Sequence, residues 1–75
     1  MEKLKFYRSS SKYYFEIEDS FYSGKIILGK GNHGGEAYYY VDYLEWDDEV
    51  HPNSEEIENY IETNLYHILN NSETL

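Results

Sequence analysis

Tyr38-Tyr39-Tyr40-Val41-Asp42-Tyr43-Leu44-Glu45-Trp46-Asp47-Asp48-Glu49 is the stretch on which the fold turns. Five of its twelve residues are aromatic, five are acidic and none is basic. Aromatic and β-branched residues fit a pleated, half-buried surface, so Glu36 to Trp46 reads as the longest strand of the chain. Its alternation is imperfect. Tyr39, Val41 and Tyr43 fall on one face; Tyr38, Tyr40, Leu44 and Trp46 fall on the other, with Asp42 interrupting. Either both faces are partly covered or a bulge near Asp42 shifts the register.

Upstream, three further strands are expected. Residues 3–8 alternate, with Leu4 and Phe6 opposite Lys3 and Lys5. Residues 12–18 give the cleanest alternation: Tyr13, Phe15 and Ile17 against Tyr14, Glu16 and Glu18. Ser9-Ser10-Ser11 joins them at hairpin length. Asp19 to Gly24 reads as a turn, Lys25 to Leu28 as a third strand, and Gly29 to Gly35 as a glycine-dense loop. One wet sheet face favours antiparallel pairing.

Downstream, Pro52 ends the extended segment. Asn53 with Glu56 forms a capping-box-like pair. Ile57, Tyr60, Ile61, Leu65, Ile68 and Leu69 recur at helical spacing, which predicts one helix from about Ser54 to Asn70. Its acids crowd the first half, where the helix dipole favours them. The last four residues are expected to fray. The order β-β-β-β-α predicts a single domain over residues 1–75 of α+β class. It is a four-stranded antiparallel meander with one C-terminal helix packed on a face.

A chain of 75 residues buries only roughly 60% of the surface its unfolded form exposes. It has no cysteine, so disulfides, thiolate metal sites and Cys nucleophiles are excluded. Ten Tyr, three Phe and one Trp are expected to supply the core, since each buries about 150–250 Å². The absence of cysteine, of a signal peptide and of a long apolar run points to a cytoplasmic protein without a membrane segment.

Motifs for chemistry have ordinary explanations. Gly29-Lys30-Gly31-Asn32-His33-Gly34 matches a dinucleotide-binding fingerprint by letter, but a strand follows it where that site needs a helix. A hairpin loop needing positive φ accounts for it. His33, His51 and His67 share no metal-ligand spacing. Carboxylates are abundant, yet they lie on segments that look wet, whereas a catalytic carboxylate is desolvated. No catalytic residue, metal ligand or cofactor is assigned, and the protein is read as a non-enzyme.

Charge is the most informative compositional fact. The net charge is −9, and all six Lys and Arg fall between Lys3 and Lys30. Residues 31–75 hold eleven acids and no base. Such a field repels nucleic acid and anionic membrane and attracts cationic protein surfaces. Direct nucleic-acid binding is therefore not expected unless the basic N-terminal third forms a separate patch. On a strand, i and i+2 lie about 6.5–7 Å apart; on a helix, i and i+3 or i+4 are roughly 5–6 Å apart. Asp42, Glu45, Asp47, Asp48 and Glu49 can thus join Glu55, Glu58 and Glu62 in a band whose spacing approaches that of backbone phosphates. Tyr39, Tyr43 and Trp46 are the candidate anchors of that band.

In its size, its lack of cysteine, its sheet-plus-helix pattern and the acidic run from Asp42 to Glu62, the chain resembles the small acidic proteins that phages encode against host defences. Anti-CRISPR proteins and DNA mimics are among these. The likeness is one of general character, without an alignable motif. It implies a stoichiometric inhibitor in the host cytoplasm that occupies the basic groove of a nucleic-acid-handling protein, such as a CRISPR-Cas effector. The rival expectation is a protein–protein adaptor, antitoxin or immunity-type module that uses a Tyr-rich sheet face or a strand edge. A small enzyme or ligand-binding domain would instead show a deep pocket with His33 or His51 beside a buried carboxylate.

Overall fold

The computed structural model describes residues 3–52 and 55–75. Five strands and two helices follow in the order β1 (Leu4–Ser9), β2 (Lys12–Ile17), β3 (Ser23–His33), β4 (Glu36–Trp46), α1 (Glu55–Thr63), α2 (Leu65–Asn71) and β5 (Glu73–Thr74). The sheet order is β4-β3-β2-β1-β5. The α+β class stands. The sheet differs from the expected all-antiparallel one, because β5 pairs with β1 in parallel and makes it five-stranded and mixed. Residues expected to fray are therefore part of the sheet: Ser72 leaves the helix in an extended conformation, and the Leu75 N–H donates to the Arg8 carbonyl at 2.8 Å.

The first hairpin closes tighter than expected. Ser9 pairs with Lys12, so only Ser10 and Ser11 form the turn. Ser10 carries φ +59°, the positive value that primed hairpin turns require. The second hairpin departs further from expectation. Residues 29–33 are not loop but strand, and the loop shrinks to Gly34-Gly35, with φ +60° and +88°. Both values suit a type I′ turn. Gly29 and Gly31 serve another purpose: they pair with Tyr40 and Tyr38, whose rings lie across β3 in the space where a Cβ would stand.

The register of β3 on β4 slips once, between Ile27, opposite Tyr43, and Leu28, opposite Val41. Asp42 is the extra residue, so the bulge alternative holds. Its effect is to exchange the faces. Tyr39 and Val41 share a side with Leu44 and Trp46, while Tyr38 and Tyr40 share the opposite side with Tyr43.

One helix was expected and two are present. The break falls at Asn64, with φ −108° and ψ 18°. Both its backbone N–H (3.1 Å) and its side-chain amide (2.9 Å) donate to the Tyr60 carbonyl. Asn is a weak helix former because its amide competes in this way for backbone groups. The break is local, since the Ile68 N–H still donates to the Asn64 carbonyl at 2.9 Å. The Asn53 cap lies outside the described residues, as does the expected start at Ser54.

Both helices lie on one side of the sheet. Ile57, Ile61, Leu65 and Ile68 face down onto Phe15, Ile17, Ile26 and Val41, and these eight form the buried core. The core is aliphatic with a single phenylalanine, not aromatic as the composition suggested. Every described tyrosine is at least partly exposed. A phenol at the periphery buries ring surface and leaves its hydroxyl to water, whereas a small core has no room to pair ten buried hydroxyls. Gly24 lets the ring of Phe15 approach: a Cβ there would fall 2.9 Å from it.

Candidate functional site

The candidate band starts where β4 stops being core. Trp46 is half-buried, edge-on to Phe15 with ring centroids 5.0 Å apart. His51 stacks on it at 4.5 Å, nearly parallel. The indole is thus a lid on the core, covered in turn by the imidazole, and not an open anchor. Asp47 is held next to it. Its carboxylate accepts from the Ser23 hydroxyl at 2.7 Å, and its N–H donates to the Ser23 carbonyl at 2.9 Å. These two bonds fix the exit direction of the acidic loop. Asp48 and Glu49 follow in exposed bends.

In α1, Ile57 and Ile61 point inward. At about 100° per residue, Glu55, Glu58 and Glu62 fall within one stripe on a flank of that apolar seam. Tyr60 falls on the opposite flank, where it lines a cleft with Leu4 and Phe6 of β1. The acidic flank therefore faces the β4 side, and α1 packs against β4. Glu55 and Glu62 are exposed and Glu58 is half-buried. Glu55, Glu56 and Glu58 occupy the first turn of α1, where unsatisfied N–H groups favour negative charge.

The bulge divides the remaining candidates. Glu45 and Tyr43 project from the outer face of the sheet, away from the helices. The Glu45 carboxylate lies 3.9 Å from the Lys25 ammonium, a long and exposed pair worth little. Tyr39 lies on the helix side. Its N–H, on the free edge of β4, donates to the Tyr66 hydroxyl of α2 at 3.3 Å. Asp42 is exposed at the bulge between the two sets. The structure therefore keeps Asp47, Asp48 and Glu49 in one loop leading to Glu55, Glu58 and Glu62, and it sends Glu45 with Tyr43, and Tyr39 with Trp46, to different faces.

Besides Tyr43, the outer face carries residues that sequence reasoning did not select. No helix covers it. Tyr7 and Tyr14 pair across β1 and β2, both half-buried, and Tyr38, Tyr40 and Tyr43 are exposed at 42%, 42% and 49%. Tyr38 and Tyr40 have ring centroids 6.1 Å apart, each seated on a glycine. The signal was present in the sequence: Gly29 and Gly31 mirror Tyr40 and Tyr38 about Gly34-Gly35. The Tyr7 hydroxyl donates to Glu16 at 3.1 Å. Partial burial, then that hydrogen bond and the carboxylate's charge, push its pKa above the usual 10.0.

His33, His51 and His67 are all exposed, and among the described residues no charged or polar side chain is buried. No group of three or more His, Asp or Glu poised to hold a metal ion occurs among them. No helix among them is long and apolar enough to cross a membrane. No protein-family model matches the chain, and no curated protein or solved structure matches it significantly.

Proposed function

We propose that the protein is a non-enzymatic inhibitor that binds the basic nucleic-acid-binding surface of a partner protein and acts there as a nucleic-acid mimic. A CRISPR effector is an example of such a partner. The observation that carries this reading is the run of carboxylates, exposed except for the half-buried Glu58, from Asp42 through Asp47, Asp48 and Glu49 to the Glu55–Glu58–Glu62 flank of α1, in a segment without Lys or Arg after residue 30. The two Ser23 bonds to Asp47 support it, because a loop fixed in advance loses less entropy on binding. Capture of partners from host lysate at low and high salt tests the reading, since exposed charge pairs are screened. Changing Asp47, Asp48 and Glu49 together to Lys is expected to weaken capture at least about tenfold while the fold survives. Unchanged capture would sink the reading.

A second reading rests on the open tyrosine face. An uncovered aromatic sheet surface marks an interaction site, and Tyr is enriched where binding energy concentrates. In this reading the protein is an adaptor, antitoxin or immunity-type module. Binding then falls with Tyr43→Ala, is insensitive to salt, and survives the triple reversal.

A further inference from the structure

The β3–β4 hairpin outgrows the sheet. The pairing of β2 with β3 ends at Tyr13↔Ile26, so the six pairs from Leu28↔Val41 to His33↔Glu36 form a two-stranded arm beyond it. The backbone groups of that arm can be sorted by pair type. A two-residue turn makes His33 and Glu36 a hydrogen-bonded pair, and pair type alternates along an antiparallel ladder. Gly31/Tyr38 and Gly29/Tyr40 are then bonded across the arm. The N–H and C=O groups of Leu28, Lys30 and Asn32 point away from β4. The bond from the Tyr39 N–H to Tyr66, on the far side of β4, agrees with this phase.

The two edges of the arm differ. That of β4 is blunted by the Tyr66 hydroxyl and by the bulge at Asp42, two devices that discourage strand addition. Among the described residues, that of β3 pairs with no strand beyond Ile26 other than β4. Where β2 ends, a cleft of about 320 Å³ opens between Ser11, Lys12, Lys25, Ile27 and Leu28. Lys12 and Lys25 line this cleft, and Lys30 follows along β3 on its helix side, in a protein whose net charge is −9. Glu45 is the one acid lining the cleft, and its carboxylate lies 3.9 Å from the Lys25 ammonium.

We propose that the β3 edge from Leu28 to Asn32 docks, as an antiparallel strand, an extended segment of a partner protein in which a carboxylate residue is flanked by apolar ones. Three outward N–H and C=O sets are what a peptide strand satisfies. A residue placed opposite Lys30 lies on the helix side of the arm beside the ammonium, which selects a carboxylate there. Residues opposite Gly29 and Gly31 lie on the other side, where no glycine side chain intervenes and the rings of Tyr40 and Tyr38 spread across β3, which selects apolar side chains. This surface lies apart from the acidic band, so the two can be tested separately.

The probe is acetyl-Thr-Val-Glu-Val-Thr-amide, titrated into ¹⁵N-labelled protein. The amides of Leu28, Lys30 and Asn32 are expected to shift. N-methylation of the peptide's Glu, whose N–H faces β3, weakens binding at least about tenfold; N-methylation of either Val, whose N–H faces away, changes it by less than about twofold. Lys30→Glu transfers the preference to the peptide with Lys in place of Glu. The variant with Asp47, Asp48 and Glu49 changed to Lys still binds, whatever becomes of the inhibitor reading. The proposal is overturned by any of four results: no shift at millimolar peptide, equal binding of the N-methyl-Glu analogue, shifts confined to the β4 edge, or a thymidine oligonucleotide occupying the same amides at lower concentration.

Discussion

The ring of Tyr40 lies across Gly29 so closely that a Cβ on Gly29 would fall 2.3 Å from its carbons. The pair acts as one side chain shared between two strands. Tyr38 stands in the same relation to Gly31. An isolated two-stranded ribbon is marginal in water, so these two rings are what give the arm a packed surface.

Gly29→Ala is therefore expected to destabilise the protein by about 1–3 kcal/mol, the range for overpacking. In a Tyr40→Ala background the same change should reverse sign and stabilise by about 0.5 kcal/mol, because Ala loses less backbone entropy than Gly. Urea denaturation of the four proteins, followed by far-ultraviolet circular dichroism, measures this coupling.

Trp46→Ala should be among the most damaging single changes, at about 3 kcal/mol, because it removes the lid on Phe15 and leaves His51 without its stacking partner. The triple reversal of Asp47, Asp48 and Glu49 should change stability by under about 1 kcal/mol, since Asp48 and Glu49 are exposed and only Asp47 loses a hydrogen bond. Urea midpoints of the two variants distinguish a structural indole from a functional acidic loop.

Tyr66→Phe deletes one hydroxyl from the free edge of β4. The bond is long and exposed, so the expected loss is about 0.5 kcal/mol. The informative readout is local: the Tyr39 amide should lose hydrogen-exchange protection, while those of Ile61 and Leu65 keep theirs.

The raised pKa of Tyr7 has a definite sign. The folded state holds that phenolic proton more tightly than the unfolded chain. Its contribution to stability is thus complete below the ordinary tyrosine pKa and is lost as pH rises through the higher folded value. Thermal melts should therefore fall more steeply above about pH 10 in the native protein than in Tyr7→Phe, which lacks the titrating hydroxyl.

Much of the architecture was legible because it is local. The alternation at Tyr13–Ile17 and the 3.6-residue spacing from Ile57 to Leu69 each report which residues point inward, and the structure buries Phe15, Ile17, Ile57, Ile61, Leu65 and Ile68 but leaves Tyr60 exposed. The glycine-rich segment was misread because glycine breaks strands by its own propensity. Only the partner strand, which supplies Tyr38 and Tyr40, reverses that preference. The C-terminal strand was missed because two residues carry no period. Its pairing depends on where the helices deliver the chain, which local sequence does not encode. At the candidate site, the loop and the α1 stripe could be placed from spacing alone. Trp46 could not, since a tryptophan at a strand end serves a core or a partner equally well until its neighbours are known.

Asp42 joins no pair in the β3–β4 ladder, yet it sets the phase in which the rest of β4 is read. Before it, odd-numbered residues face the helices; after it, even-numbered ones do. The strand thus consists of two reading frames spliced by one carboxylate. Pairing it in an unbulged ladder would turn Leu44 and Trp46 out to water and bring Tyr43 and Glu45 under α1, whereas deleting it would leave a regular ladder with the same two faces. The loss of Asp42 is thus a change of length that keeps Val41, Leu44 and Trp46 over the core.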